Sequence, residues 1–159
     1  MQKNKRIKWV KSLPRQWKVS IDIKPNGRVN GWSNILQGTI GGSNWRLGDR
    51  IPLIHFRSRS TRLHICCAIG KNKNHCFNSK PIPLKKFTKV VIRQFQEREK
   101  DGKYVYRINI GGKIVYEIVN TNPKVYKKVS YYASNPWHKP ANAVIRNFEL
   151  TTYTDKNHA

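Results

Sequence analysis

Residues 17–24, WKVSIDIK, place Trp17, Val19, Ile21 and Ile23 on one side of an extended chain and Lys18, Ser20, Asp22 and Lys24 on the other. A period of two belongs to a strand with one buried face and does not fit a helix. Pro25-Asn26-Gly27 then ends the run with turn chemistry. Further apolar runs follow at 32–40 (stopped by Gly41-Gly42), 51–56, 63–69, 75–77, 87–95, 104–110, 113–119, 125–132 and 143–153. Pro52 suggests an edge or strand start, residues 44–50 read as a loop, and Pro81 and Pro83 bracket a connection. Gly111-Gly112 joins two runs as a hairpin, although both faces of that hairpin carry apolar residues and do not say which is buried. The one faintly helical stretch, 94–100, runs into the turn Asp101-Gly102. About nine to eleven short strands with Gly and Pro punctuation predict an all-β, two-sheet sandwich or a barrel.

A length of 159 residues fits one domain with a two-layer core. Residues 15–153 are assigned to the sandwich, 1–14 to a basic N-terminal arm or edge strand ending at Pro14, and 154–159 to a C-terminal tail. Trp17 and Trp32 are expected in the core.

Within residues 15–153, several segments resemble concanavalin A-like, laminin-G-like jelly rolls. WKVSIDI at 17–23 resembles their opening core strand. LKKFTKVVI at 84–92 resembles an aromatic-x-x-V-x-I strand, DGKY followed by INIGGK at 101–113 a meander hairpin, and VIRNFEL at 144–150 the closing strand. The resemblance implies an antiparallel jelly-roll sandwich with lectin-like binding. Galectins share the architecture, and IPLIHFRSR at 51–59 is similar to their H-F-N-P-R sugar-binding strand. Here Arg57-Ser58 replaces Asn-Pro, and the downstream W-G-x-E-x-R element is missing. A galactoside site is therefore not implied, while His55 and Arg59 stay as candidates.

Lys plus Arg number 32 against 8 Asp plus Glu, a formal charge of +24. The basic residues are threaded between apolar ones along the whole chain, which reads as a folded domain with a cationic surface. Expected partners are polyanions: sulfated or acidic glycans, nucleic acid, or an anionic membrane surface, all bound in a salt-dependent way. Dense groups occur at Arg57, Arg59 and Arg62, at Lys71 and Lys73, at Lys85, Lys86 and Lys89, and at Lys124, Lys127 and Lys128. Each alone is equally well a solvated surface. The charge also exceeds the roughly 2–8 usual for a small domain. It therefore raises the alternative of a supercharged scaffold, with Lys18, Lys24, Lys89 and Arg93 at outward strand positions. A third alternative is a nucleic-acid-binding β-domain.

Cys66, Cys67 and Cys76 lie on the arms of a hairpin around GKNKN. With a loop of three to five residues, Cys66 or Cys67 faces Cys76; Cys66–Cys76 is the preferred disulfide and three reduced thiols are the alternative. A disulfide implies an oxidising, extracellular setting. The N-terminus carries no apolar signal segment, and no window approaches about 18 consecutive apolar residues.

Catalytic signals are weak. Glu97, Glu99 and Asp101 form the one acidic cluster, flanked by bases in a turn, and read as solvated charge rather than a glycosidase pair. No G-x-S-x-G, H-E-x-x-H or phosphate loop occurs. Cys67 and His75 lack four-ligand zinc spacing, and Asp49, the best calcium candidate, is crowded by Arg46 and Arg50. The expectation is a non-enzyme without metal or cofactor. Trp45 in GSNWRLGD and Trp137 in SNPWHKP sit in polar loops suited to stacking on sugars or bases. Trp137 with Asn135, His138 and Lys139 is the leading recognition loop, unless Trp137 instead plugs the end of the sandwich.

Overall fold

A computed structural model describes residues 1–154. The proposed tail therefore falls, from residue 155 on, outside the described residues. The strands are β1 (Arg6–Leu13), β2 (Gln16–Pro25), β3 (Ser33–Thr39), β4 (Leu53–Phe56), β5 (Arg62–Ile69), β6 (Asn72–Pro81), β7 (Thr88–Glu97), β8 (Lys103–Ile110), β9 (Lys113–Asn120), β10 (Tyr126–Tyr132), β11 (Lys139–Pro140) and β12 (Ala143–Tyr153). Among the described residues they form two sheets. The larger runs β1-β10-β3-β4-β5-β6, with β11 parallel to β3; the smaller runs β12-β2-β7-β8-β9. The consecutive partners along both paths are antiparallel.

The alternation at 17–23 does what its period dictates. Trp17, Val19, Ile21 and Ile23 are buried and meet Val90, Ile92, Tyr106 and Ile108 of the same sheet and Ile54, Phe56, Leu63, Ile65, Val129 and Tyr131 of the other in one cluster. At roughly 25 cal/mol per Å2 of apolar area removed from water, this cluster is the main term holding the sheets face to face. Gly38 is required where β3 passes under Tyr131: a Cβ there would come within 2.6 Å of the Ile51 carbonyl oxygen and 2.5 Å of the Tyr131 ring.

Three local features depart from the sequence expectations, and the buried face of the Gly-Gly hairpin, left open by the sequence, is resolved. The β5–β6 turn is two residues, Gly70-Lys71, because Ile69 pairs with Asn72 and GKNKN is mostly strand. Residues 94–100 are strand to Glu97 followed by one 3-10 turn at Arg98–Lys100, with Asp101 left-handed after it. In the Gly-Gly hairpin, Tyr106 and Ile108 face the core, whereas Ile114 and Val115 are exposed on the edge strand β9. Trp32 is not core: it is 42% exposed, because Gly31 takes φ +88 and β3 begins only at Ser33.

The N-terminal segment is an edge strand, Arg6 to Leu13, paired to β10, with Leu13 fully buried. No helix among the described residues is long and apolar enough to cross a membrane.

Candidate functional site on the outer face of the larger sheet

Side chains directly opposite each other on antiparallel strands share a face, so the register assembles the outer face of the larger sheet. One row reads Cys76, Cys66, Leu53, Gln37, Tyr132 and Arg6 across β6, β5, β4, β3, β10 and β1. The next reads Asn78, His64, His55 and Asn34. Leu53 and Cys66 are fully buried yet stand outside the core cluster, covered by their neighbours on this outer face.

The second row carries the chemistry. Trp32 packs on His64 with ring centroids 4.6 Å apart and lies 6.3 Å from His55. His55 meets His138 edge-on at 4.5 Å. The Arg57 guanidinium stands 5.6 Å from the Trp32 ring centroid, a cation–π arrangement. Farther along the face, Trp137 meets Tyr132 edge-on at 6.4 Å and is 40% exposed. Trp9 is exposed opposite Ser130, two residues along β10 from Tyr132 and therefore on the same side.

The recognition loop is held by Asn135, which is fully buried. Its backbone N–H donates to Asn34 Oδ1 (2.8 Å) and its Nδ2 to Gln37 Oε1 (2.6 Å). Its Oδ1 accepts from the N–H groups of Trp137 (3.1 Å) and His138 (2.9 Å). Asn135 thus positions Trp137 and His138 and is not itself presented to a ligand. Lys139 donates to the Asn30 carbonyl at 2.6 Å, and Arg59 Nε to Asn30 Oδ1 at 3.0 Å, so both brace the loop containing Asn30. Arg62 is exposed at the start of β5.

Burial decides the electrostatics of the imidazoles. It pushes His55 down to about 2, assisted by the charges of His138, Arg50 and His64. Burial likewise lowers His64, opposed by its hydrogen bond to Asn78, and lowers His138, with Arg50 and Lys3 adding to the effect. All three are neutral at pH 7. Arg50 is nearly buried and ties the face together, donating to the Ser43 carbonyl (3.1 Å) and Asn74 Oδ1 (2.9 Å).

Among the described residues, acids other than Asp49 are kept away from this face. Asp22, Glu97, Glu99, Asp101, Glu117 and Glu149 belong to the strands or turns of the smaller sheet. Asp49 is fully buried, its carboxylate accepting from the backbone N–H groups of Gly42, Trp45 and Arg46. That carboxylate shapes the 42–49 loop and is thereby already engaged.

Other candidates lie apart. Trp45 is 84% exposed on the loop after the far end of β3, whereas Trp32 and Asn34 are at its start. Lys85 and Lys86 precede β7, and Lys89 lies opposite Asp22 on the smaller sheet. Lys124, Lys127 and Lys128 sit before and within β10, Lys127 donating to Ser12. The basic groups are therefore distributed over both sheets. A groove of about 630 Å3 on the smaller sheet is lined by Arg93, Phe95, Arg98 and Tyr153, but Arg93 already stacks on Phe95 at 4.1 Å. Sequence reasoning missed Trp32, His64, Asn78, Trp9 and Tyr132 as members of one face. Only the cross-strand register, absent from a linear reading, brings them together.

No family profile and no curated protein sequence matches this chain. Solved structures do. A native heptameric SAP-like pentraxin from Limulus polyphemus matches with TM-score 0.59 at 9% identity, over 91% of this chain and 67% of that one. The endo-β-1,4-glucuronan lyase of the fungus Trichoderma reesei matches with TM-score 0.58 at 11% identity, over 89% and 70%. Sheep galectin-11 matches with TM-score 0.50 at 12% identity, over 93% and 98%. At such identities the likeness concerns architecture. With its two antiparallel sheets and these neighbours, the chain has the concanavalin A-like, galectin-like jelly-roll sandwich fold.

Proposed function

We propose that this protein is a non-catalytic module that binds acidic glycans on the outer face of its larger sheet. The observation that carries the reading is the surface at Trp32. An exposed indole lies beside His64 and beneath the Arg57 guanidinium, on a face whose one nearby carboxylate, among the described residues, is sealed in the Asp49 loop. An indole offers a flat apolar platform for a sugar ring, the guanidinium N–H groups suit carboxylate or sulfate, and the lack of exposed carboxylates on this face among the described residues removes the repulsion an anionic chain would meet. Trp137, Tyr132 and Trp9 extend the platform across β10 to β1, which fits a chain of sugars better than a single residue. The overall charge of +24 adds steering.

Of the structural neighbours named above, two are a pentraxin and a galectin and one is a lyase. The lyase is named for action on glucuronan, so the fold itself does not separate binding from catalysis. The non-catalytic reading rests on the lack of a carboxylate pair on this face among the described residues, and on the Cys66 sulfur beside His64 being held in a disulfide.

Retention on immobilised heparin tests the reading, with single-stranded DNA and phosphatidylserine vesicles as competitors. Elution above about 0.15 M salt, reversed by sulfated oligosaccharide more effectively than by DNA or vesicles, is expected, since several simultaneous anion contacts resist screening. Elution below that salt overturns it. Equal competition by DNA replaces glycan with nucleic acid as the partner, and equal competition by vesicles points to a membrane surface.

A further inference from the structure

His64, Cys66 and Cys76 come together on the first two strands of the outer face. The Cys66 and Cys76 sulfurs are bonded, and their Cα atoms face each other at 4.1 Å across β5 and β6. His64, two residues from Cys66, lies on the same side of β5, and its Nε2 is 3.1 Å from Cys66 Sγ. One ligand atom from each of the three residues lies within 4.8 Å of the others.

The orientation of His64 is specific. Its Nδ1 is 2.8 Å from Asn78 Oδ1. A carbonyl oxygen only accepts, so Nδ1 carries the proton and donates it. In the neutral ring the Nε2 lone pair is then bare and faces the sulfurs. This is how a metal-binding imidazole is prepared: one ring nitrogen is held as a donor by an outer partner, and the other is left basic and aimed.

We propose that Cys66, Cys76 and His64 form a redox-gated site for a soft cation of the zinc class, closed when the two sulfurs are bonded and opened by a thiol or phosphine reductant. With a dithiol reductant, the S–S bond breaks, two electrons and two protons reach the sulfurs, and the reductant departs as its own disulfide. A divalent cation then displaces both thiol protons to solvent and takes two thiolates and Nε2 as ligands. Tetrahedral zinc holds sulfur at about 2.3 Å and nitrogen at about 2.0–2.1 Å, so its donors stand roughly 3.5–3.8 Å apart. The sulfurs reach that spacing by side-chain rotation, with the strand register retained. Three protein donors leave the fourth position open to water. Two sulfurs and an imidazole select zinc or cuprous ion over calcium or magnesium. Cys67, fully buried in the core with burial raising its thiol to about 12, takes no part. The proposal does not depend on glycan binding.

The test titrates cobalt(II) and zinc(II) into the protein, with the disulfide intact and after phosphine reduction, while far-UV circular dichroism follows the sheet. The reduced protein is expected to bind one equivalent, with a thiolate-to-cobalt charge-transfer band in the near ultraviolet that zinc abolishes; the oxidised protein gives no band. Cys67→Ala keeps the band. His64→Ala and the milder His64→Asn weaken binding by more than tenfold, and Asn78→Ala by about 10- to 100-fold. Three outcomes overturn the proposal: no band after reduction, undiminished affinity in both His64 variants, or loss of sheet on reduction that zinc does not restore.

Discussion

Trp32 and His64 pack ring against ring, 4.6 Å between centroids, although 32 residues of sequence separate them. The contact exists because Trp32 is turned outward just before β3, and His64 lies across β4 from it, in line with His55. Trp32→Ala should weaken binding to sulfated oligosaccharide at least about tenfold, or about 1.4 kcal/mol. Its effect on stability should stay near ~1 kcal/mol or less, since the ring is half exposed. Calorimetric titration and a denaturation curve on the same variant check both.

Stability should fall on acidification through the histidines of the same face. His55, His64 and His138 all have folded-state values below the ordinary 6.5, so the unfolded chain binds more protons as pH drops. The stabilisation is present above pH 6.5 and is lost progressively below it, toward about 2 for His55. The buried His55 contributes a slope of up to about 1.4 kcal/mol per pH unit in that window, and the half-buried His64 and His138, screened by solvent, contribute less. Urea midpoints at pH 7, 6 and 5 should decline, and His55→Gln should flatten the decline.

Anionic ligand should respond in the opposite direction. A sulfate or carboxylate on this face favours the protonated forms of half-buried His64 and His138, so affinity should rise as pH falls from 7 to 5.5. Titration of a sulfated disaccharide at both values checks the sign.

Asn135→Ala removes the acceptor for two backbone N–H groups and the donor to Gln37 in a fully buried position. Unsatisfied buried groups cost about 1–3 kcal/mol, equivalent to a Tm drop of roughly 2–12 °C for a chain of this length. Glycan affinity should fall as well, because Trp137 and His138 lose their anchor, although Asn135 touches no ligand.

The Cys66–Cys76 bond closes a short loop, with a sequence separation of 10. Chain entropy for such a loop corresponds to about 2–3 kcal/mol. Reduction, or Cys66→Ala with Cys76→Ala, should lower the unfolding free energy by about that much without removing the sheet.

Much of the fold was legible in residues 17–24, because a strand with one buried face writes its period directly into the sequence. The Cys66–Cys76 pair was legible too, although the turn proved shorter than expected: Asn72 and Asn74 look like loop residues yet lie on the β6 edge, where polar side chains face out. Trp32 was misplaced because a tryptophan beside an apolar run looks like core, and only the Gly31 turn reveals which side it takes. His64 and Asn78 carried no local signal. Their roles arise from pairing between strands, and pairing is set by register rather than by neighbours in sequence. The basic clusters were visible as composition, but their separation onto different sheets was not.

The most direct measurement is an NMR titration of the isotopically labelled protein with a sulfated oligosaccharide. The acidic-glycan account expects shifts concentrated on the Trp32 indole, His64, His138 and Trp137. Shifts confined to β2, β7 and β8 of the smaller sheet, or spread evenly over the lysines, would contradict it.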